Sequence, residues 1–538
     1  MPTLNWIGKD AVVTHHQSVR FRLLKDVPDL GCGDPGSGNL IVQGDNLAAL
    51  KALLPYYAGQ VKCIYIDPPY NTGNEGWAYN DNVNSLVIQQ WLHQVVGKEG
   101  ETLDRHDRWL CMMYPRLALL RQFLRPDGLI FISIDDNEHR WLEVIADEIF
   151  GSANRIETLI WKKSYGGGAK SKHIVNMHEY ILCYARDAER VSEFKLPPSK
   201  ETLKYYKFED ANVSVRGPYR LQPLATNSMD SRPNLRYAIP YDGEEIWPEK
   251  QWQWSKERAM AALKADELTL KKTKGKWTVS YKQYLRDPEG EERSSKPYSI
   301  VDGIYTQQGT SEVADIFGDG KTFSFPKPSA LICQLLQFAT DPGDLVMDSF
   351  GGSGTTGHAV LKLNAAAPDE PSRRFILVEM EEKIAREVTR ERVRRVAEGY
   401  TNAKGEKIAG LGGGFRYAEL GDELFDEAGL LIRSTVKFAE LARHVYFTET
   451  GEPLPRERVP NTPLLGVYRG TAVYLLYNGI LKDKSPDGGN VLTRATLAHL
   501  PPHDGPKVIY CAGCLLGAER LRAARLTVRQ TPREIKVS

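Results

Sequence analysis

Val61-Lys62-Cys63-Ile64-Tyr65-Ile66-Asp67-Pro68-Pro69-Tyr70 is an apolar, β-branched run that stops at an acid, two prolines and a tyrosine. Val61, Ile64 and Ile66 predict a strand buried in a parallel sheet. Pro68 and Pro69 donate no backbone N–H, so the ladder ends there and Asp67 and Tyr70 are presented at the strand's carboxyl end. Open α/β sheets bind their ligands at that end. Just upstream, Leu40-Ile41-Val42 reads as a strand and Gly44-Asp45-Asn46 as a turn. Leu47, Leu50, Leu53 and Leu54 then recur at helical spacing, which completes a strand-helix-strand unit.

A second stretch, far along the chain, has the same character. Leu345-Val346-Met347-Asp348-Ser349-Phe350-Gly351-Gly352-Ser353-Gly354-Thr355-Thr356-Gly357 is an apolar strand running into a glycine-rich turn, and His358 to Leu363 continue it as a helix. Glycines at a first strand-helix turn let the backbone come close to a ligand. The next strand, Phe375-Ile376-Leu377-Val378, ends in Glu379, where an acid is placed to bind the two hydroxyls of a ribose. No Gly-Lys-Ser/Thr follows the glycines, which excludes a P-loop, and FGGSGTTG does not fit the GxGxxG of a dinucleotide site. A nucleoside without pyrophosphate fits better.

The parts of Asp-Pro-Pro-Tyr suit one chemistry. The exocyclic amine of a nucleobase is a poor nucleophile, because its lone pair is delocalised into the ring. A carboxylate at Asp67 and the carbonyl that Pro68 or Pro69 leaves free can both accept hydrogen bonds from such an amine and localise the lone pair toward an electrophile. Tyr70 offers a flat face on which an extruded base can stack. Taken alone, the tetrapeptide is explained equally well by a strand end and a proline turn; the strand before it and the glycine turn favour the chemical reading.

A chain of 538 residues has room for two to four domains. Its 41% hydrophobic and 26% charged residues are ordinary for a soluble globular protein. The net charge of +1 gives no global basic field, so a nucleic-acid binder would have to concentrate its lysines locally. Cysteines at 32, 63, 111, 183, 333, 511 and 514, several inside apolar runs, fit reduced thiols in a cytoplasm. Cys511 and Cys514 form a lone CxxC, read as a packed strand-to-helix turn, and no motif offers a metal cluster. No run approaches the roughly 18 apolar residues of a membrane span, and the N-terminus lacks a signal-peptide pattern, so no membrane association is expected.

Five segments follow from these patterns. Residues 1–38 read as an arm ending in a glycine-rich turn, 39–186 and 321–404 as two halves of one α/β domain, and 405–538 as a small accessory α/β domain behind a glycine-rich linker. The first half includes a polar and aromatic loop, Gly73 to Thr102, of the composition found over functional sites. Strands are predicted at 129–134, 156–161 and 179–185, with a turn carrying Gly166, Gly167, Gly168, Lys170 and Lys172 between the last two. Periodicity fades across 187–320. There Lys271, Lys272, Lys274 and Lys276 lie beside Trp277, a mixture suited to phosphate contacts and base or sugar packing and equally to a solvated surface over a small core.

With both motifs in view, the sequence resembles DNA amino-methyltransferases of the beta group, in which the catalytic tetrapeptide precedes the cofactor turn and the target-recognition segment lies between them. DPPY at 67–70 and DSFGGSGTTG at 348–357 have that order. Gly44-Asp45-Asn46-Leu47, Asn71-Thr72-Gly73 after the tetrapeptide, Trp161-Lys162-Lys163 with His178-Glu179-Tyr180, and Phe325-Pro326-Lys327-Pro328 are most similar to Mod subunits of Type III restriction-modification systems. The resemblance covers about 39–186 and 321–400. It implies a doubly wound, mostly parallel Rossmann-like sheet in circularly permuted order, with 187–320 as the recognition domain.

The resemblance further implies transfer of a methyl group from S-adenosylmethionine to adenine N6 in duplex DNA by base flipping. Asp67, Pro68 and Pro69 would hold the target amine and Tyr70 would stack on the base. Asp348, Phe350, Gly352, Gly354 and Thr355 would form the cofactor turn, Glu379 would hold the ribose, Lys327 and Pro328 would lie near the methionine end, and Asp45 would approach the cofactor's adenine. A homodimer and a separate Res-type helicase and nuclease subunit are the implied partners. Cytosine N4, RNA or protein amide nitrogen as the acceptor, or service as the recognition subunit of a larger defence complex, remain alternatives.

Overall fold

The computed structural model describes residues 3–72, 105–166, 172–198, 200–227, 230–426, 432–454, 462–477 and 489–531. The loop expected from Gly73 to Thr102, and Gly167, Gly168 and Lys170, lie outside the described residues. The chain forms two compact units, Met1–Glu193 with Tyr298–Ser538, and Phe194–Pro297.

Among the described residues the first unit is built on an eleven-stranded sheet. Ten of its strands are β1 (Arg22–Asp26), β2 (Leu40–Gln43), β3 (Val61–Ile66), β4 (Leu124–Ile134), β5 (Arg155–Lys162), β6 (His178–Ala185), β7 (Ile300–Val301), β8 (Leu345–Asp348), β9 (Arg374–Glu379) and β10 (Gly414–Glu423). Their order is β1-β10-β2-β9-β8-β3-β4-β6-β5-β7, and Cys32–Gly33 pairs with β10 off this path. The six strands from β10 to β4 run parallel, whereas β1, β6 and β5 join antiparallel at the flanks.

The parallel centre is covered on both sides, which is why its strands read as continuous apolar runs rather than alternating ones. Val61, Ile64, Ile66, Val346, Met347, Ile376, Leu377 and Val378 are all fully buried. On one face, helices α1 (Asn46–Tyr57), α2 (Arg105–Phe123) and α3 (His139–Phe150) share a core with Ile130 and Ile132 of β4. On the other face, Phe131 meets Phe338 of α4 (Ser329–Ala339) edge to face, with ring centroids 5.8 Å apart. Helix α4 packs in turn on α5 (Thr355–Ala366). The sheet is thus doubly wound and mostly parallel, as the motifs predict.

Chain order reverses at the middle of this sheet. From β8 the chain crosses through α5 to β9 on one side, and from β3 it crosses through α2 to β4 on the other. The crevice at such a reversal, beyond the carboxyl ends of the two central strands, is where open α/β sheets hold ligands. Val346 and Met347 of β8 stand opposite Cys63 and Ile64 of β3, the side-by-side placement expected from the sequence.

Beyond β10, a helix at Phe438–Thr450 and a four-stranded sheet (Leu464–Tyr468, Thr471–Leu475, Lys507–Cys511, Leu526–Gln530) form a further layer of the first unit. The seven cysteines are unpaired, and the Cys514 thiol accepts from the Leu516 backbone N–H at 3.4 Å within a turn. Among the described residues no group of three or more His, Cys, Asp and Glu could hold a metal ion, and no helix is long and apolar enough to cross a membrane.

The second unit holds a three-stranded antiparallel sheet, in the order Leu268–Thr273, Lys276–Tyr284, Tyr219–Pro223. Its own small core gathers Leu224, Tyr237, Ile239, Ile246, Trp252 and Val279.

Candidate active site

At the end of β8 the backbone turns sharply. Asp348 accepts from the Phe350 N–H at 2.9 Å and from the Thr356 hydroxyl at 2.6 Å, so one carboxylate closes the turn across its own loop. Gly352 and Gly354 adopt φ of +47° and +76°, and a Cβ on Gly354 would lie 2.8 Å from the Thr389 carbonyl oxygen. Side-chain-free residues are required there. Burial pushes the Asp348 carboxyl up to about 7; its hydrogen bonds oppose the shift and the Asp67 charge adds to it.

The turn is braced from two sides. Glu379, at the end of β9, is buried and accepts from the N–H groups of Gly352 and Glu381, both at 2.8 Å. Burial raises its carboxyl to about 8 despite those bonds. Underneath, the fully buried Arg392 donates to the hydroxyls of Ser353 at 3.0 Å and Thr355 at 2.8 Å and to Glu312 at 2.9 Å.

At the end of β3, Asp67 and Tyr70 are half-buried and face a lysine. The Lys327 ammonium donates to both Asp67 oxygens at 2.9 Å and to the Tyr70 hydroxyl at 2.8 Å. The Tyr70 hydroxyl donates to Glu179 at 3.0 Å, and Lys163 donates to the other Glu179 oxygen at 3.1 Å. Burial works against the Lys327 charge, but Asp67 and Glu179 outweigh it and hold the ammonium above the usual lysine range. Burial raises the Asp67 carboxyl, and Lys327 returns part of the shift.

The proline turn is pinned from behind. The Trp109 indole N–H donates to the Pro69 carbonyl at 2.6 Å, which leaves the Pro68 carbonyl as the one without a donor among the described residues. Asn71, at φ +56°, donates to the Arg105 carbonyl at 2.9 Å. Phe325, on the opposite wall, stands at +54°. Such φ values in non-glycine residues store about 1–3 kcal/mol each and cluster at ligand sites.

Asp67, Lys327, Asp348, Phe350, Gly352 and Thr355 line one cavity with Tyr65 and Phe325. Four other expected cofactor residues do not line it: Gly354 and Pro328 neighbour lining residues in the chain, Glu379 braces the glycine turn from behind, and Asp45 caps α1 through the Ala48 N–H at 2.9 Å and pairs with Arg116 at 3.3 Å. Pro328 is the N-cap of α4. Glu179, Lys163, Trp109 and Arg392 join the expected site residues. Glu179 and Lys163 do lie in segments that carry the family resemblance, whereas Trp109 and Arg392 read as ordinary helix residues.

In the second unit the lysine cluster sits on a hairpin. Lys272 pairs with Glu244 at 2.5 Å and lies over the Trp277 ring, and Lys276 pairs with Glu249 at 3.5 Å. Lys271 and Lys274 are exposed.

A model of the DNA methylase family matches residues 61–390. The chain is 32% identical over 420 residues to the Mod subunit of the Type III restriction-modification enzyme StyLTI of Salmonella typhimurium, covering 73% of this chain and 62% of that protein. To the EcoPI Mod subunit of Escherichia phage P1 it is 32% identical over 436 residues, covering 71% and 64%. To the Type II methyltransferase M.KpnI of Klebsiella pneumoniae it is 29% identical over 409 residues, covering 71% and 89%. The chain therefore spans somewhat less than two thirds of the Mod relatives it matches. The acidic turn after β3 and the glycine turn after β8 both fall inside the family match and meet over one cavity, and this chain belongs to the DNA methylase family.

Proposed function

We propose that the protein transfers a methyl group from S-adenosylmethionine to N6 of an adenine swung out of duplex DNA, as the modification subunit of a restriction-modification system. The observation that carries this reading is the meeting of Asp67 and the glycine turn over one cavity at the reversal point of the sheet. S-adenosylmethionine would supply a methyl group activated by its sulfonium. The residues present suit such a ligand. Gly352 brings bare backbone to the cavity beside Phe350 and the Asp348 carboxyl, and the glycine turn carries no basic side chain for a phosphate. Gly352 and Gly354 would let the backbone lie against the nucleoside, with Phe350 and Thr355 beside it; Glu379 would hold the ribose once its braces yield, and Asp45 would sit toward the adenine.

This chain's own residues would prepare the acceptor. Asp67 and the Pro68 carbonyl would each take one hydrogen bond from the amine, drawing its lone pair out of the ring, while the Tyr70 ring packs on the base. Pro69 would serve through the indole bond that fixes the turn. The lysines at 271, 272, 274 and 276, with Trp277, would touch DNA on the second unit, which would serve as the recognition domain; the arm at 1–38 and the accessory segment 405–538 belong to the first unit. A cytoplasmic homodimer acting with a Res-type partner completes the reading.

Single-molecule sequencing of DNA from a host expressing the protein tests it directly. Methyl groups on adenine N6 at one short motif are expected. Marks on cytosine N4 would replace the base assignment, and unmarked DNA with an actively folded protein would overturn the reading.

A further inference from the structure

In the ligand-binding crevice one group stands where the substrate would. The target amine must bring its N–H groups to Asp67 and the base must lie on Tyr70. The Lys327 ammonium holds the first place and borders the second: it donates to both Asp67 oxygens at 2.9 Å, and it donates to the Tyr70 hydroxyl at 2.8 Å, 4.7 Å from the ring centroid. Its backbone is not free to follow the ammonium. The Lys327 carbonyl accepts from the Thr355 hydroxyl at 3.1 Å, and Gly309 packs so tightly that a Cβ there would collide with the Pro326 carbonyl oxygen. Only the flexible side chain can move.

A second acceptor waits beside the first. Glu179 lies 3.5 Å from the ammonium, is buried, and already receives the Tyr70 hydroxyl. An ammonium leaving Asp67 without a new partner would be a buried unpaired charge, which is strongly unfavourable. A short rotation onto Glu179 keeps it paired throughout and frees the Asp67 carboxylate.

We propose that Lys327 is a positioning residue that stands in for the target amine, occupying its place on Asp67 beside Tyr70 until the base enters, and then passing to Glu179. The inference rests on the methyltransferase reading. It makes entry of the base a competition between two nitrogen donors for one carboxylate, with Glu179 setting how readily the resident one yields.

The test uses the full chain and a duplex with 2-aminopurine beside the adenine that the wild-type protein methylates; the probe brightens when its neighbour leaves the stack. Lys327→Met should reach half-maximal brightness at about tenfold lower protein concentration than wild type, the low end of the coupling seen for close charge pairs. Glu179→Gln, nearly isosteric, should need a higher concentration than wild type, because the second seat no longer carries the charge that draws the ammonium. Cooperative thermal unfolding followed by circular dichroism reports whether each variant is folded. Equal brightness curves for wild type and Lys327→Met, or a weaker one for a folded Lys327→Met, would overturn the proposal and make Lys327 a plain structural pair. If Lys327→Met fails to fold, Glu179→Gln decides, and an unchanged curve there overturns it. If the wild-type protein methylates no base at all, the methyltransferase reading itself falls, a result distinct from either.

Discussion

At the end of β8 the glycine turn is held by backbone N–H groups, hydroxyls and one buried guanidinium, whereas at the end of β3 the acidic turn is closed in front by four charged side chains. Arg392 donates to the Ser353 hydroxyl, Glu379 accepts from the Gly352 N–H, and the Thr356 hydroxyl donates to Asp348 across the turn. Asp67, Glu179, Lys327 and Lys163 form a set of two negative and two positive groups. Burying such a set costs far less than burying any member alone, and its members can trade partners without leaving a charge stranded. The two lips of the cavity therefore differ in kind: one is a fixed cradle, the other a rearrangeable one.

The comparison can be broken most severely at Asp67. Asp67→Ala should lower methyl transfer by about a thousandfold or more, measured with tritiated cofactor on genomic DNA, while S-adenosylmethionine binding persists, because the cradle does not depend on that carboxylate. On the fixed side, Arg392→Met should cost about 1–3 kcal/mol in urea unfolding, since the buried Ser353 and Thr355 hydroxyls lose their donor while Glu312 keeps Lys362 and Ser329. Gly354→Ala should cost about 1–3 kcal/mol and weaken cofactor binding with it, because the left-handed backbone and the Thr389 carbonyl leave no room for a methyl group.

Asp348 sharpens the comparison through pH. Its carboxyl is raised from 3.8 to about 7, so the folded protein favours the protonated form. That contribution to stability is complete below the ordinary aspartate range and is lost as pH rises through about 7, with Glu379 acting in the same direction up to about 8. Melting temperature of the ligand-free protein should fall between pH 5 and 8, and Asp348→Asn, neutral throughout, should flatten the fall; the limit is about 1.4 kcal/mol per pH unit per group. The smallest effect is expected on the second unit. Replacing Lys271, Lys272, Lys274 and Lys276 by alanine should reduce the salt slope of DNA binding by about two rather than by the nearly four that free cations would give, since Lys272 and Lys276 already face carboxylates.

Much of this was legible in the sequence for a physical reason. A parallel strand buried on both faces is a continuous apolar run, so β3, β8 and β9 announce themselves, and prolines or glycines mark where each must stop. The adjacency of β3 and β8 followed from the expected order of the motifs. What could not be read was partnership. Glu179 reaches Tyr70 only because β6 lies antiparallel on β4, and Lys327 reaches Asp67 across 260 positions of sequence. The resemblance puts that lysine near the methionine end of the cofactor; the structure adds that it is the counter-ion of Asp67. Likewise the tetrapeptide offered two carbonyls, and only the position of Trp109 on α2 distinguishes Pro68 from Pro69. Strands β1 and β10 went unread because flank strands, with one edge or face toward solvent, carry mixed and charged residues such as Arg22, Lys25 and Asp422.

The pairing of β3 with β8 also sets a timetable for biosynthesis. About 280 residues separate the two strands, so at ribosomal rates roughly a quarter of a minute to a minute passes between them. Through that interval β4 can cover one edge of β3, but the other edge, six apolar-rich residues long, awaits its neighbour. Lys62 carries the single charge of that strand, and its partner Asp127 has already left the ribosome. A lone lysine on an open β-edge discourages pairing with other chains, so a strand buried along its whole length in the finished protein carries its own safeguard for the time it spends half-made.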